Sequence, residues 1–287
     1  MNIGIIGVGV VGGATGKVLE AKHGVLYYDK FREGLSNPKN LEGIARDVEI
    51  AFICVPTPMK PSGEMDYSAI YSSLNQLLTA THTTGRKSEE LITVIRSTAV
   101  SGTTDRVAEH FPFRFAFNPE FLREKYAEED MRNTSRVVLG ANDSQVHQKL
   151  ASMYLEVFPN ASYTCVNIKT AEMIKYAANV MLASQVALAN ELYRICQGVG
   201  VEYDIVKEAI LQDSRIARNI DVPGHDGEFG FGGKCFPKDL RAFTYLAREH
   251  NVEPYLLDEV WRSNATIRKK HDWNEIKGAT TDNNFHQ

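Results

Sequence analysis

At 287 residues the chain exceeds one small domain and falls short of three; at ~100–200 residues per domain it should hold two. With 43% hydrophobic and 24% charged residues it has the make-up of a globular protein, which excludes general disorder, collagen-like repeats and coiled coil. A net charge of −4 without a basic block, and no apolar run of ~18 residues, argue against nucleic acid or a membrane as partner.

The N-terminal run MNIGIIGVGVVGG lacks a basic leader and carries four glycines within residues 4–12, so it reads as a strand and a turn rather than a signal peptide. Apolar strands are expected at 3–6, 25–28, 50–55, 91–95, 115–117 and 136–139, with a last one at 163–166. Helices are expected between them at 11–22, 67–80, 103–110 and 143–155. Such alternation implies a parallel sheet covered on both faces. From Asn167 the pattern turns helical, at about 168–199, 203–212, 236–250 and 254–271. Between Asp213 and Pro237 runs the glycine-rich stretch PGHDGEFGFGGKCFP, a loop long enough to suggest function. Cys54, Cys165, Cys196 and Cys235 form no CxxC pair, so neither zinc, nor any other metal, nor a disulfide framework is expected. A reducing, cytoplasmic setting follows.

Gly7-Val8-Gly9-Val10-Val11-Gly12 is a G-x-G-x-x-G directly after a strand and opening a helix. Gly7 permits the tight turn, Gly9 the approach of a pyrophosphate, and Gly12 close packing of helix on strand. The helix start, through Val10 and Val11, offers unpaired amides to phosphate. Asp29 ends the second strand, where a carboxylate binds ribose hydroxyls and repels a 2′-phosphate. NAD is the expected cofactor, although Lys30 and Arg32 leave NADP open. The expected fold is therefore α/β: an N-terminal Rossmann-type doubly wound parallel sheet followed by an all-helical domain. Residues 1–166 form the NAD-binding domain, 167–272 a helical central and dimerisation domain, and 273–287 a flexible tail.

Five further segments carry chemistry. Cys235 lies between glycines and a helix start, beside Lys234 and Lys238, where a thiol is activated. The other three cysteines read as small buried hydrophobes. Asp239 lies one turn beyond Cys235. Lys175 and Asn179 stand four apart on the long helix, hence on one face; apolar neighbours argue against a fully solvated pair. Asn118-Pro119-Glu120-Phe121-Leu122-Arg123-Glu124 follows a strand's C-terminal end, where doubly wound sheets bind ligands. Thr57, in VPTP, and Thr98, in RST, also follow strand ends, within reach of a cofactor, although such residues equally serve as loop caps.

Together GVGVVG, VPTP with GEMDYS, RSTAV, NPEFLRE, KTAEMIKYAAN and FGFGGKCFPKD resemble the UDP-glucose/GDP-mannose dehydrogenase family, from Met1 to about Lys270. That resemblance implies oxidation of a nucleotide hexose at C6 to the uronate with two NAD, UDP-glucose being the first-choice substrate. It implies Cys235 as the nucleophile that traps the aldehyde, with Lys175, Asp239 and Asn179 around the reacting oxygen. Glu124 and Thr98 would move protons in hydrolysis. The Glu120–Arg123 backbone (Glu120, Phe121, Leu122, Arg123) and the loop with Phe231 and Gly232 would wrap sugar and phosphates. Thr57, Thr98, Glu124 and Lys238 would line the cofactor. Arg215 matches an arginine that reaches across a homodimer interface. Lys125 replaces a usual glycine, Lys234 a usual Ser or Tyr, and the loop before Cys235 is slightly longer; FGGxCxPKD reads as the glucose or mannose branch. The family's further C-terminal nucleotide-holding domain is not expected in this chain.

A β-hydroxyacid or 6-phosphogluconate-type dehydrogenase shares the length and the Lys-x-x-x-Asn pair but needs no cysteine nucleophile, so Cys235 with Asp239 favours the sugar-nucleotide reading. A dinucleotide-binding scaffold or regulatory protein that has lost catalysis is the reading from another class; the filled catalytic positions weigh against it.

Overall fold

The computed structural model describes residues 1–217 and 219–281. Its first compact unit comprises Met1–Thr57 and Tyr67–Lys175; its second comprises Pro58–Asp66 and the chain from Tyr176 onward.

The first unit contains β1 (Asn2–Ile6), α1 (Val10–Leu19), β2 (Gly24–Tyr28), α2 (Pro38–Asp47), β3 (Ile50–Ile53), α3 (Ser68–Thr84), β4 (Ile92–Ile95), α4 (Thr103–Ala108), β5 (Arg114–Phe117), α5 (Ala127–Arg132), β6 (Arg136–Ala141), α6 (Ser144–Val157) and β7 (Ser162–Val166). The strands form one sheet in the order β2-β1-β3-β4-β5-β6-β7. Its central strands are apolar without interruption because both faces are covered. Ile3, Ile5, Phe52 and Val94 pack to one side, and Ala51, Ile53, Ile95 and Phe117 to the other. The edge strands β2 and β7 are partly exposed. The strand order reverses between β1 and β3, which puts the switch point beside the loop Gly7–Gly12.

Three expectations are corrected here. The sheet is not wholly parallel, because β6 runs antiparallel to β5 (Ala116↔Ala141, Phe117↔Gly140) while β7 runs parallel to β6. Between β5 and β6 lie only a 3-10 turn and six-residue α5, too little helix for a standard parallel crossover. The polar helix α2 was not expected, although Asn37 caps it by accepting the Lys39 amide and Pro38 opens it. Cys165 is exposed on edge strand β7, not buried; Cys196 is buried; Cys54 is half-buried, its thiol pushed up to about 12 by desolvation.

Helix α7 (Ile168–Val199) follows β7 and runs into the second unit, which also contains α8 (Tyr203–Ile210), α9 (Phe236–Glu249) and α10 (Tyr255–Ile267). Val180, Ala183, Ala187, Phe231, Leu240 and Val260 form its main core. Helix α10 stops short of the expected 271, because Arg268 turns into extended backbone and bonds Asp226. The segment after it, expected to be a frayed tail, packs instead: Trp273 is 3% exposed, and the Met59 amide donates to Ala279 O at 3.0 Å. Its polar composition hid two anchors, the indole and that backbone pairing. Residues 282–287 lie outside the described residues.

Candidate active site

The glycine loop has the geometry its sequence requires. Gly7 has φ +91°, and its amide donates to Tyr28 O at 2.9 Å; a Cβ there would lie 2.6 Å from Cys54 O. A Cβ on Gly12 would fall 2.0 Å from Gly7 O, so helix and strand touch through hydrogen alone. A Cβ on Gly9 would meet nothing within 4 Å. No internal packing accounts for Gly9, and the space in front of the α1 N-terminus is open. Acidic residues are absent from the first turn of α1, so its amides and positive dipole end keep their attraction for an anion.

Asp29 accepts the Val8 amide at 2.7 Å through Oδ2, and the Phe31 and Arg32 amides at 2.8 and 3.1 Å through Oδ1. The acid at the end of β2 thus anchors the phosphate loop itself. A carboxylate offers about four acceptor positions, so one stays available for a ribose hydroxyl. The open cradle at Gly9, the helix start and this acid fit a dinucleotide.

The loops after β3 and β4 are tied together. Ser97 Oγ accepts the Val55 amide at 2.9 Å and donates to Val55 O at 2.7 Å. Thr57 is buried and Thr98 half-buried. Arg96 is buried, with Nε donating to Thr15 Oγ1 at 2.9 Å and its guanidinium to Asn118; Asn118 also accepts Tyr154 Oη–H at 2.6 Å. Arg96 and Asn118 therefore fasten the strand ends while lining the cavity beside Glu120.

Glu120 follows β5. Its Oε1 lies 2.9 Å from Lys175 Nζ on α7, and its Oε2 accepts the Leu122 amide at 2.8 Å. Burial alone would raise the Glu120 carboxyl; the Lys175 charge, the Leu122 amide and Arg96 outweigh it, and the net shift is downward. The Phe121 ring lies beneath the Arg136 guanidinium (3.9 Å) and near Lys175 Nζ (5.6 Å). A cavity of about 300 Å³ opens beside this segment, lined by Glu120, Phe121, Arg123 and Arg136 among others. Arg123 is spent on Asp130 at its rim, and Glu124 is exposed at the start of a 3-10 turn.

Sequence reasoning missed Glu172, one turn before Lys175. It is fully buried, and it accepts the Gly102 amide at 2.6 Å and the Thr104 amide and hydroxyl at 2.8 and 2.7 Å. It thus fixes the start of α4 and the loop carrying Thr98 to the helix carrying Lys175. Burial pushes it up to about 7 against these hydrogen bonds. The signal was an acid among apolar helical neighbours.

In the second unit, exposed Cys235 occupies the N-cap position of α9, and its carbonyl accepts the Asp239 amide at 2.8 Å. Asp239 is 1% exposed; Lys238 holds its Oδ1 and Asn179 Nδ2 its Oδ2. Lys238 therefore directs its charge to Asp239. The glycine approach to Cys235 is pinned residue by residue. Gly230 N donates to Asn190 Oδ1 at 3.0 Å, and Phe231 N to Asn264 Oδ1 at 2.7 Å. Asn264 Nδ2 returns a bond to Phe231 O at 2.9 Å, and Gly233 N donates to Asp272 Oδ2 at 3.1 Å. A Cβ on Gly232 would lie 2.2 Å from the Arg268 guanidinium carbon. The Phe231 side chain is core. Arg215 is 87% exposed and pairs with Asp213.

Geometry thus joins Glu120 with Lys175, and Asn179 with Asp239 and Lys238. Lys175 and Asn179 are both buried, which removes the solvated-face reading of their pair.

Residues 30–158 match the NAD binding domain model of the UDP-glucose/GDP-mannose dehydrogenase family, and residues 169–266 match that family's central domain. The chain is 33% identical over 225 residues to a UDP-glucose 6-dehydrogenase of Rickettsia typhi, covering 76% of this chain and 50% of that protein. It is 34% identical over 252 residues to a GDP-mannose 6-dehydrogenase of Pseudomonas aeruginosa, covering 83% and 56%. Among solved structures, a UDP-glucose dehydrogenase of Pyrobaculum islandicum superposes with a TM-score of 0.79 at 28% identity, over 92% of this chain and 68% of that one. The chain spans about half the length of the curated relatives it matches. With two consecutive family domains in order over a glycine loop, a switch point and a capped cysteine, the chain belongs to the UDP-glucose/GDP-mannose dehydrogenase family.

Proposed function

We infer that the protein oxidises the C6 alcohol of a nucleotide hexose, UDP-glucose foremost, to the carboxylate. The observation that carries this reading is Cys235 at the N-cap of α9, exposed at the end of a loop pinned at Gly230, Phe231 and Gly233. A merely structural cysteine needs neither exposure nor such an approach. Bound at the glycine loop and Asp29, NAD supplies the hydride acceptor for each of the two oxidations.

The chain's own residues do the rest. Lys175 and Asn179, on one face of α7, hold the C6 oxygen, and loss of its proton with hydride departure leaves an aldehyde. Cys235 adds through sulfur to the aldehyde carbon, giving a thiohemiacetal whose oxygen takes up a proton. Departure of the second hydride and that proton leaves a thioester. Water, positioned by Asp239 with Thr98 and Glu124 relaying protons, adds to the carbonyl and expels the thiolate as the carboxylate forms. Trapping on sulfur keeps a reactive aldehyde from escaping.

A homodimer is part of this reading. Met181, Leu188, Leu192, Ile195 and Val199 of α7 are 37–69% exposed and recur at spacings of 7, 4, 3 and 4, a coiled-coil-like seam. Exposed Arg215 would then reach a partner's site.

The test is Cys235→Ser, assayed by mass spectrometry with UDP-glucose, GDP-mannose and simple hydroxyacids in parallel. Uronate should no longer form. Uronate at the normal rate would remove the covalent mechanism, and turnover of hydroxyacids alone would favour a β-hydroxyacid dehydrogenase.

A further inference from the structure

Both tryptophans of the chain line one cavity in the second unit. It holds about 420 Å³ and is walled by Lys60 and Pro61, by Arg241 of α9, by Trp261 of α10, and by His271 and Trp273 of the segment after it. That volume lies within the range of small-molecule sites. The indoles stand 5.6 Å apart, and the His271 ring stacks on Trp273 at 4.7 Å. The Arg241 guanidinium lies over Trp261, 5.4 Å from its centroid. Lys60 meets Glu64 at 2.9 Å, but both side chains are at least 40% exposed, a pair that water screens. Among the described residues, no Asp or Glu lines it.

A surface of this kind selects by chemistry. Indole faces bury flat rings, and an arginine over one of them with a lysine in the wall favours an anionic group. We propose that this cavity is a nucleotide site, with the base against Trp261 and the phosphate at Arg241 and Lys60. His271, Trp273 and Thr280 lie beyond residues 169–266, so these walls are not part of the central domain that the family model describes. The site also has a mechanical link. Asp272, between His271 and Trp273, accepts the Gly233 amide and pairs with Arg268 at 3.2 Å. An occupant that fixes His271 and Trp273 also fixes the approach to Cys235.

The ligand is either a free nucleotide or the nucleotide end of a nucleotide sugar, and the titration separates them. With the full chain, tryptophan emission is read during addition of UMP, GMP, UDP-glucose, uridine or inorganic phosphate. Both indoles sit in the cavity, so the signal is local. A saturable change with a nucleotide, and none with uridine or phosphate at equal concentration, is expected. UDP-glucose acting below the concentration that UMP or GMP needs assigns the site to the sugar donor; the reverse order assigns it to free nucleotide. Arg241→Met should weaken binding about tenfold or more, through loss of a charge-assisted contact. Lys60→Met, at the exposed rim, should weaken it several-fold without touching the packed wall. NAD binding by equilibrium dialysis should be unchanged in both. No saturable change with any nucleotide, or one that both variants leave intact, overturns the proposal. It stands apart from the oxidation reading: nucleotide binding here without turnover would keep this site and lose that activity.

Discussion

Lys175 Nζ lies 2.9 Å from Glu120 Oε1, and the two side chains are only 5% and 10% exposed. A buried pair of this kind contributes little net stability when intact, yet costs about 3–5 kcal/mol when one partner is removed and the other is stranded. Lys175→Met should therefore destabilise the protein by about that much, and the Lys175→Met/Glu120→Gln double variant should recover most of it. Neither should turn over substrate, so recovered stability without recovered activity separates the lysine's chemical role from its structural one. Denaturant unfolding beside an NADH assay checks this. Because Glu120 is shifted downward, its contribution is present above the ordinary carboxylate value of 4.5 and is lost as pH falls through the lowered value.

Glu172 has the opposite sign. Its folded value of about 7 lies above 4.5, so the folded state holds the proton more tightly than the unfolded chain. Below 4.5 both states are protonated and its contribution is fully present. Between 4.5 and about 7 the unfolded chain ionises first and stability falls, by up to about 3 kcal/mol in all. Glu172→Gln should flatten the decline in Tm over that window relative to the parent. A parallel decline in both proteins, measured by calorimetry, would show that Glu172 does not titrate there.

Asn264 satisfies both the amide and the carbonyl of Phe231. Asn264→Ala strands two buried backbone groups, at about 1–3 kcal/mol each. The expected result is a lower Tm together with a fall in kcat, since the loop leading to Cys235 loses its anchor. NAD affinity, set at Gly7–Gly12 and Asp29, should not change.

Leu188 and Ile195 stand 59% and 54% exposed on the α7 seam. Leu188→Glu with Ile195→Glu should convert a dimer to a monomer in light scattering, because two carboxylates per chain would be desolvated at the interface. An unchanged mass would place the interface elsewhere.

Much of the fold was legible because local rules suffice for it. Ile3, Ile5, Phe52 and Val94 announce strands buried on both faces by composition alone, and Gly7 and Gly12 announce a turn and a close contact that no other residue permits. Helix α2 could also have been found, from Asn37 and Pro38, but its polar surface masks its periodicity. The reversed direction of β6 could not, since a strand's pattern records which faces are buried and not the direction of its neighbour. The tail after α10 is illegible for a related reason: Ala279 is held by backbone pairing with Met59, a residue more than two hundred positions away, and Trp273 by burial of its indole.

Taken alone, the sequence marked the residues on which the proposed chemistry rests. The glycine loop, Asp29, Cys235 and the Lys175–Asn179 spacing require only neighbours within a turn or a strand end, and these are fixed by chain geometry. Only the tertiary structure decided how the charges are shared. It gave Lys175 to Glu120, Asn179 and Lys238 to Asp239, and Glu172 to the start of α4, and it brought two tryptophans, Arg241 and Lys60 to one cavity. The physical reason is burial. A charge removed from water must find a partner wherever the fold supplies one, and spacing along the chain does not say where that will be.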